Sequence, residues 1–495
     1  MTSSPRPWPA QPAGNPWAGV QQAPPARAAA PTPAVNPAVF TEQKPDGLMY
    51  AVGLLLFAYV WRVQDAFPIL GKLQLPLLSL GIAGILYVTN RHPWRKPLQL
   101  RSTVAYLTLG LLALMLIGVP TSLWPGHSLT FALKTYTSNL LFMAVTAASI
   151  RSVSDVEFYA RTNLYGGLFY AMMVNLFFRV GPDGRLGGLV YYDANDFALV
   201  MVATIPFAVY LLKFGRKGLR RALGLLALGL IMLALVKSGS RGGFLGMVAV
   251  MVYILLRYRA IPSTTRFFVA VVGILLAVLI GSDKYWEQMS TILHPTADYN
   301  WTDPQGRRAV WKRGVSYVAH NPVLGIGVGS YPVAEGTLSA ISQERASAGR
   351  GFKWSVAHNS FLETAAELGV PGLILFLGLF VASFAVLRKI RPRGIYGPGI
   401  GPRETALSQM LIGSLFGFAV AGIFVSAEYF SYLYFLLGMV IGLTKMLRLR
   451  RDAFFALAPY RAAAPRMRVV PTAQARPQAR SQGRSQALST FVPGA

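Results

Sequence analysis

Apolar residues run on, without the alternation of a half-buried strand, across twelve stretches near 47–61, 70–90, 103–120, 128–149, 159–178, 196–212, 222–236, 242–256, 267–282, 372–387, 406–424 and 428–444. Runs that approach 17 to 25 residues read as helices crossing a bilayer. Lipid offers backbone groups no water, so continuous runs favour a helical bundle over a barrel. The pattern predicts an all-α polytopic membrane protein of about twelve transmembrane helices. One long hydrophilic connection, 283–358, interrupts it. The expected organisation is a Pro/Ala-rich disordered tail over 1–46, nine spans over 47–282, and the connection with its short helices. A short or re-entrant helix and three more spans fill 359–446, and a basic disordered tail covers 447–495.

Charge sets the sidedness. Alternate short loops, from Arg91 to Arg403, hold nineteen Lys or Arg, against five in the opposite set (Arg62, Arg179, Arg185, Lys237 and Arg241). The richer loops are cytoplasmic by the positive-inside rule, so both termini are expected in the cytoplasm and the long connection outside it. The segment 1–46 lacks the basic start and apolar stretch of a cleaved signal, which leaves the first span as the insertion signal. From Lys445 onward ten cations face the single Asp452. Next to an anionic leaflet each contributes on the order of 1 kcal/mol of anchoring.

Composition agrees with the pattern. Of 495 residues 53% are hydrophobic and 13% charged, against about 25% charged in a soluble domain. The net charge of +28 lies in short clusters between apolar runs, which points to membrane topology and away from nucleic acid. With no cysteine, disulfides, thiolate-bound zinc, iron–sulfur clusters and thiol nucleophiles are excluded.

The candidate chemistry gathers on the outward side. The connection mixes Trp286, Trp301, Trp311 and Trp354 with eight Lys or Arg, a mixture suited to sugar faces and phosphate. Gly306-Arg307-Arg308-Ala309-Val310-Trp311 begins a predicted short helix that ends before Asn321-Pro322. The following Gly325-Ile326-Gly327-Val328-Gly329 reads as a flexible turn rather than a phosphate cradle. His358-Asn359 stands at the mouth of a new helix, where Ser360 and Glu363 have capping-box spacing; Glu363 and Glu367 read as cap and solvated face. A break is expected at Gly369-Val370-Pro371-Gly372.

Two outward turns carry arginines. In Lys237-Ser238-Gly239-Ser240-Arg241-Gly242-Gly243 the glycines would let an anionic ligand reach the guanidinium and backbone amides, snorkelling of Arg241 being the alternative. The turn bearing Arg185 leads to Asp193-Ala194-Asn195-Asp196, where Asn195 or Asp193 reads as a helix N-cap. Converging guanidiniums would bind a pyrophosphate through paired charge-assisted bonds. Lys134, about seven residues inside the fourth span, either snorkels or lines the same cavity.

In the order and sidedness of Asp193-Ala194-Asn195-Asp196, Ser240-Arg241-Gly242-Gly243, Arg308 with Trp311, Asn321-Pro322, Gly325-Ile326-Gly327, His358-Asn359 and Gly369-Val370-Pro371-Gly372, the chain resembles the O-antigen ligase and polymerase family of bacterial envelope glycosyltransferases. Ala194 stands where the family commonly has proline. The resemblance implies transfer of a glycan from a polyprenyl (undecaprenyl) diphosphate carrier to a lipid A core or glycan acceptor, at the periplasmic face of the inner membrane, with no metal or other cofactor. Carried over, it makes Arg241 and His358 catalytic. Arg241 holds the pyrophosphate and His358 acts as base for the acceptor hydroxyl. Arg185, Arg308, Lys237, Asn195, Trp311 and Asn359 then bind donor diphosphate or glycan. Ligase, repeat-unit polymerase and protein-glycosylating ligase share this chemistry and are not separated. A secondary transporter or flippase, the reading from another class, would place ionisable groups at the midplane and show related halves. Here the charges gather at the outer rim, and no repeat is apparent.

Overall fold

A computed structural model describes residues 44–463 except 183, 216, 217, 353, 393 and 397–399. The expected tails, over 1–43 and 464–495, lie outside the described residues. Each of the twelve apolar stretches is helical: α1 Gly47–Tyr59, α2 Leu75–Val88, α3 Thr103–Gly118, α4 (Pro125–Thr130, Phe131–Tyr136 and Thr137–Ser149 in succession), α5 Val153–Phe177, α6 Ala194–Phe214, α7 Leu219–Ser238, α8 Arg241–Arg257 and α9 Ser263–Ile280. The connection folds into α10 Asp283–Ser290, α11 Arg307–His320, α12 Tyr331–Thr337 and α13 Ala340–Ser347. Then come α14 Ser360–Arg388, α15 Pro402–Ala421 and α16 Ser431–Ala463. Apart from a bridge between Val180 and Leu186, no strand pairing occurs among the described residues.

Among the described residues, seven helices are long and apolar enough to cross a membrane, while α1 and α2 are apolar but shorter. Burial divides them. The apolar window of α6 is 83% buried and that of α16 is 89%, whereas α9 is only 22% buried. Phe267, Ile274, Val278 and Leu279 on α9 stand exposed together, a patch that water would penalise and lipid would not. The bundle therefore wraps amphiphobic outer helices around α6, α15 and α16.

The end of the bundle remote from the connection is tied by ion pairs. Arg95 and Arg151 both reach Asp46, at 2.6 and 3.0 Å, and Arg151 also meets Asp155 at 3.2 Å. Lys445, expected to anchor lipid, is buried and donates to the carbonyls of Ala147 and Ala148 at the end of α4. Cations at a helix C-terminus satisfy carbonyls that have no partner within the helix. The last helix likewise continues past 446, the boundary expected for the tail, to Ala463, with Arg450 on Glu404 at 3.0 Å.

The break in α14 falls where expected, at Gly369 (φ +69°). A β-carbon there would meet the Pro322 and Val323 carbonyls at 2.6 Å. The glycine turn is thereby explained, and it is not a loose one. Gly325, Gly327 and Gly329 all have positive φ, and β-carbons on them would strike the Glu367 backbone, Ser122 and His127. Ile326 and Gly327 donate to the carbonyls of Ala366 and Glu367, Leu123 donates to the Ile326 carbonyl, and Val370 donates to that of Pro322. Glycines here permit close crossing of backbones. The turn clasps the connection between α14 and the start of α4.

A cationic cleft beside two helix starts

Two helices begin side by side. Asp193 caps α6, its carboxylate accepting from the amides of Asn195 (2.6 Å) and Asp196 (2.8 Å). Ser240 caps α8, accepting from Gly243 at 3.0 Å and donating to the Asn195 side chain at 2.8 Å. The Asn195 side chain thus ties the two starts together and is not itself the cap. Both N-termini carry partial positive charge into the same space. The glycines have a packing cause. A β-carbon on Gly242 would strike Phe424, and one on Gly243 would strike Ala198. They seat α8 against its neighbours and do not hold open a path for a ligand.

The Arg185 turn lies on this junction. Leu186 donates to the Ser238 carbonyl, and a β-carbon on Gly239 (φ +62°) would lie 2.6 Å from the Gly184 carbonyl oxygen. Arg185, Asp193, Asn195, Asn300, Asp303, Arg307 and His358 line a cavity of about 330 Å³. A narrower arm, sharing Arg185, Asn195, Asn300 and Arg307, continues to Arg241. Arg241 donates to the Thr291 hydroxyl at 2.7 Å and pairs with Asp298. Asp298 in turn accepts from the backbone and side-chain amides of Asn300, at 3.1 and 3.2 Å.

His358 stands in the left-handed region, φ +49°, a conformation rare for residues other than Gly and Asn. Its amide donates to Ser426 Oγ at 3.0 Å. That hydroxyl bonds Glu363, which also accepts from the Ala357 amide at 3.0 Å. Asn359, not Ser360, is the N-cap of α14, accepting from Phe361 and Leu362 at 3.0 and 3.1 Å. Ser360 instead donates to the Val425 carbonyl. Glu363 and Glu367 are buried rather than solvated. Glu367 accepts from the Tyr331 amide at 3.1 Å and from Tyr429 at 3.2 Å.

Glu428 lies near this pair, buried, and its carboxyl is held well above the usual range, first by burial and then by the charges of Glu363 and Glu367. A raised folded-state value in an acid means the folded protein binds more protons than the unfolded one. Stability attributable to Glu428 is therefore lost as the pH rises above about 4.5, its unperturbed value. Glu428→Gln is expected to raise the melting temperature in mildly alkaline buffer and to change it little in acid, measured by a fluorescence melt across pH. A variant no more stable than wild type in alkaline buffer would contradict this.

Of the residues expected to bind the donor, Arg185 and Asn195 join Arg241 and His358 in the cleft. Arg308 does not; its guanidinium lies over Trp301, 5.1 Å from the ring centroid. The neighbouring Arg307 lines the cleft. A helical wheel marks the difference, because Val310, Gly314 and Tyr317 are the buried stripe of α11, and Arg307 shares their face. Lys237 donates to the carbonyls of Val174 and Asn175 at the end of α5. Trp311 donates to the Ala357 carbonyl at 2.9 Å, bracing the His358 loop. Lys134 lines a different cavity. Asp298, Asn300 and Thr291 went unforeseen, since only folding brings the connection over the Arg241 turn.

The fold and cleft define a multispanning helical membrane protein with converging guanidiniums, one imidazole and two helix N-termini at one end. Residues 224–377 match the family model described as O-Antigen ligase, so over this stretch the chain is similar to that family. The match spans α7 to the upper part of α14 and so includes Arg241, Arg307 and His358, with Arg185 and Asn195 before it. No curated protein matches the chain.

Proposed function

We propose that the cleft transfers a glycan from a polyprenyl diphosphate carrier to an acceptor hydroxyl, at the periplasmic face of the bacterial inner membrane and without a metal. The reading is carried by one observation, the convergence of Arg185, Arg241, Arg307 and His358 on one cavity and its arm. Guanidiniums bind a diphosphate through paired hydrogen bonds that strengthen as charge develops on the leaving oxygen. His358 takes the proton of the acceptor hydroxyl through one ring nitrogen as that oxygen attacks the anomeric carbon. The bond from that carbon to the phosphate oxygen breaks, and its electron pair leaves on the polyprenyl diphosphate. The low basicity of that leaving group removes the need for a general acid. The outward position follows from the nineteen-to-five bias of basic loop residues.

Asp298 is paired with Arg241. An anion entering must displace it, so its removal favours the binding-competent state. Asp298→Asn is expected to tighten donor binding by about tenfold, read as a lower KM for lipid-linked glycan. An unchanged or raised KM would show that the pair does not compete with the donor.

The reading is tested by giving the purified protein a lipid-linked glycan with either a lipid A core acceptor or a second lipid-linked unit, then sizing the products. One addition identifies a ligase and a ladder identifies a repeat-unit polymerase. No product with either acceptor, from protein that is inserted and folded, would refute the assignment.

A further inference from the structure

A second cavity, of about 310 Å³, meets the chain at Tyr191, two positions from the cleft residue Asp193. Tyr59, Arg62, Lys134, Ser138, Asn139 and Tyr191 are among its lining residues. Asp193 lines the cleft, so side chains two positions apart face the two spaces. Successive α-carbons are 3.8 Å apart, which puts residues 191 and 193 within about 7.6 Å of each other. Between them Tyr192 is buried, its hydroxyl donating to the Val60 carbonyl at 2.9 Å. The two linings therefore approach each other at Tyr192, which is pinned.

Two cations are presented to this space by unusual backbone. Arg62 has φ +49°. Asp65 holds its guanidinium by two bonds of 3.1 Å, and the group stacks 4.0 Å from the Tyr191 ring centroid. Lys134 stands on the π-helical turn Phe131–Tyr136, a device often found where a helix serves a site. It is exposed, and no carboxylate of the described residues forms an ion pair with it. A cation within a spanning helix calls for a counter-charge. Leu77 and Leu133, next in sequence to the lining residues Pro76 and Lys134, are 65% and 54% exposed. An apolar chain could lie on them.

We propose that this cavity binds the phosphate or diphosphate of a second lipid, the acceptor, while the donor diphosphate occupies the Arg241 cleft. The inference rests on the reading of that cleft as a donor site. Two lipid-anchored substrates require two anion sites close together, and the approach of the two linings at Tyr192 provides them. The acceptor lipid is then recognised by its charged group and not by its sugar alone.

The full-length protein, purified into phosphatidylcholine nanodiscs, is titrated with farnesyl diphosphate and read by native mass spectrometry. Wild type is expected to bind two molecules. Lys134→Gln should bind one, its second site weakened at least about tenfold, and Arg241→Gln should lose the other. Retention of one molecule by Lys134→Gln also reports that the variant is folded. A single bound molecule in wild type, or two at unchanged affinity in Lys134→Gln, overturns the proposal. If Arg241→Gln keeps both while Lys134→Gln loses one, the second site stands and the donor reading of the cleft fails. Inorganic pyrophosphate is the control for source. Binding at the Lys134 site about tenfold weaker than farnesyl diphosphate supports a lipid-borne group, and equal binding overturns that assignment.

Discussion

Arg241→Ala is expected to lower the rate of glycan transfer by about 10²- to 10³-fold, the usual loss when a preorganised donor to a developing anion is removed. Two effects act together. The variant loses the guanidinium at the inner end of the cleft, and it leaves Asp298 without its partner, placing a carboxylate where the diphosphate must lie. Like charge at that distance opposes donor binding. Arg241→Ala combined with Asp298→Ala should therefore recover part of the KM but little of kcat. Arg241→Lys, which keeps the charge and loses the planar fork, should fall between. Thr291 and Asp298, which hold the Arg241 guanidinium, belong to the connection rather than to the bundle, so melting temperature should shift little. The measurement is kcat and KM with lipid-linked glycan, paired with a thermal melt. Full activity in a folded Arg241→Ala protein would remove the proposed mechanism.

Replacing His358 is expected to cost about 10²- to 10⁴-fold in kcat, the range for loss of a positioned general base. The choice of replacement matters because the residue sits at φ +49°. Alanine tolerates that region poorly, whereas asparagine enters it readily. His358→Asn removes the imidazole and keeps the turn that Ser426 and Glu363 hold, and it is the cleaner variant. Its melting temperature should match wild type, while added imidazole should restore part of the rate. His358→Asn with wild-type kcat would move the base elsewhere. Glu363 is then a poor substitute, because its carboxylate is engaged by the Ala357 amide and the Ser426 hydroxyl on the buried side of the loop.

Elements with a strong local cause were readable in the chain. The twelve apolar runs are helical, and seven helices among the described residues are long and apolar enough to span, because hydrophobicity and length set such stretches. Gly369-Val370-Pro371-Gly372 broke α14 because proline and glycine act locally. His358 reached the mouth of α14 for similar reasons. Side-chain direction was less readable. Arg307 and Arg308 differ by one position on a helix, and only the buried face of Val310, Gly314 and Tyr317 separates them. Glu363 and Glu367 looked like cap and solvated face because nothing nearby in sequence announces Ser426, Tyr331 or Tyr429, which bond them. Lys237 looked like a donor ligand and Lys445 like a membrane anchor, yet each satisfies the end of a distant helix. Such partners depend on tertiary contacts between residues far apart along the chain.

The glycine turn that crosses α14 at Gly369 also bears on how this protein can be studied or blocked. Its hydrogen bonds reach Leu123, Ala366 and Glu367, all outside 283–358. A secreted fragment spanning only those residues would lack its seat, as well as the walls supplied by Arg185, Asn195 and Arg241. Antibodies raised or inhibitors screened against such a fragment would meet a surface that the intact protein never presents.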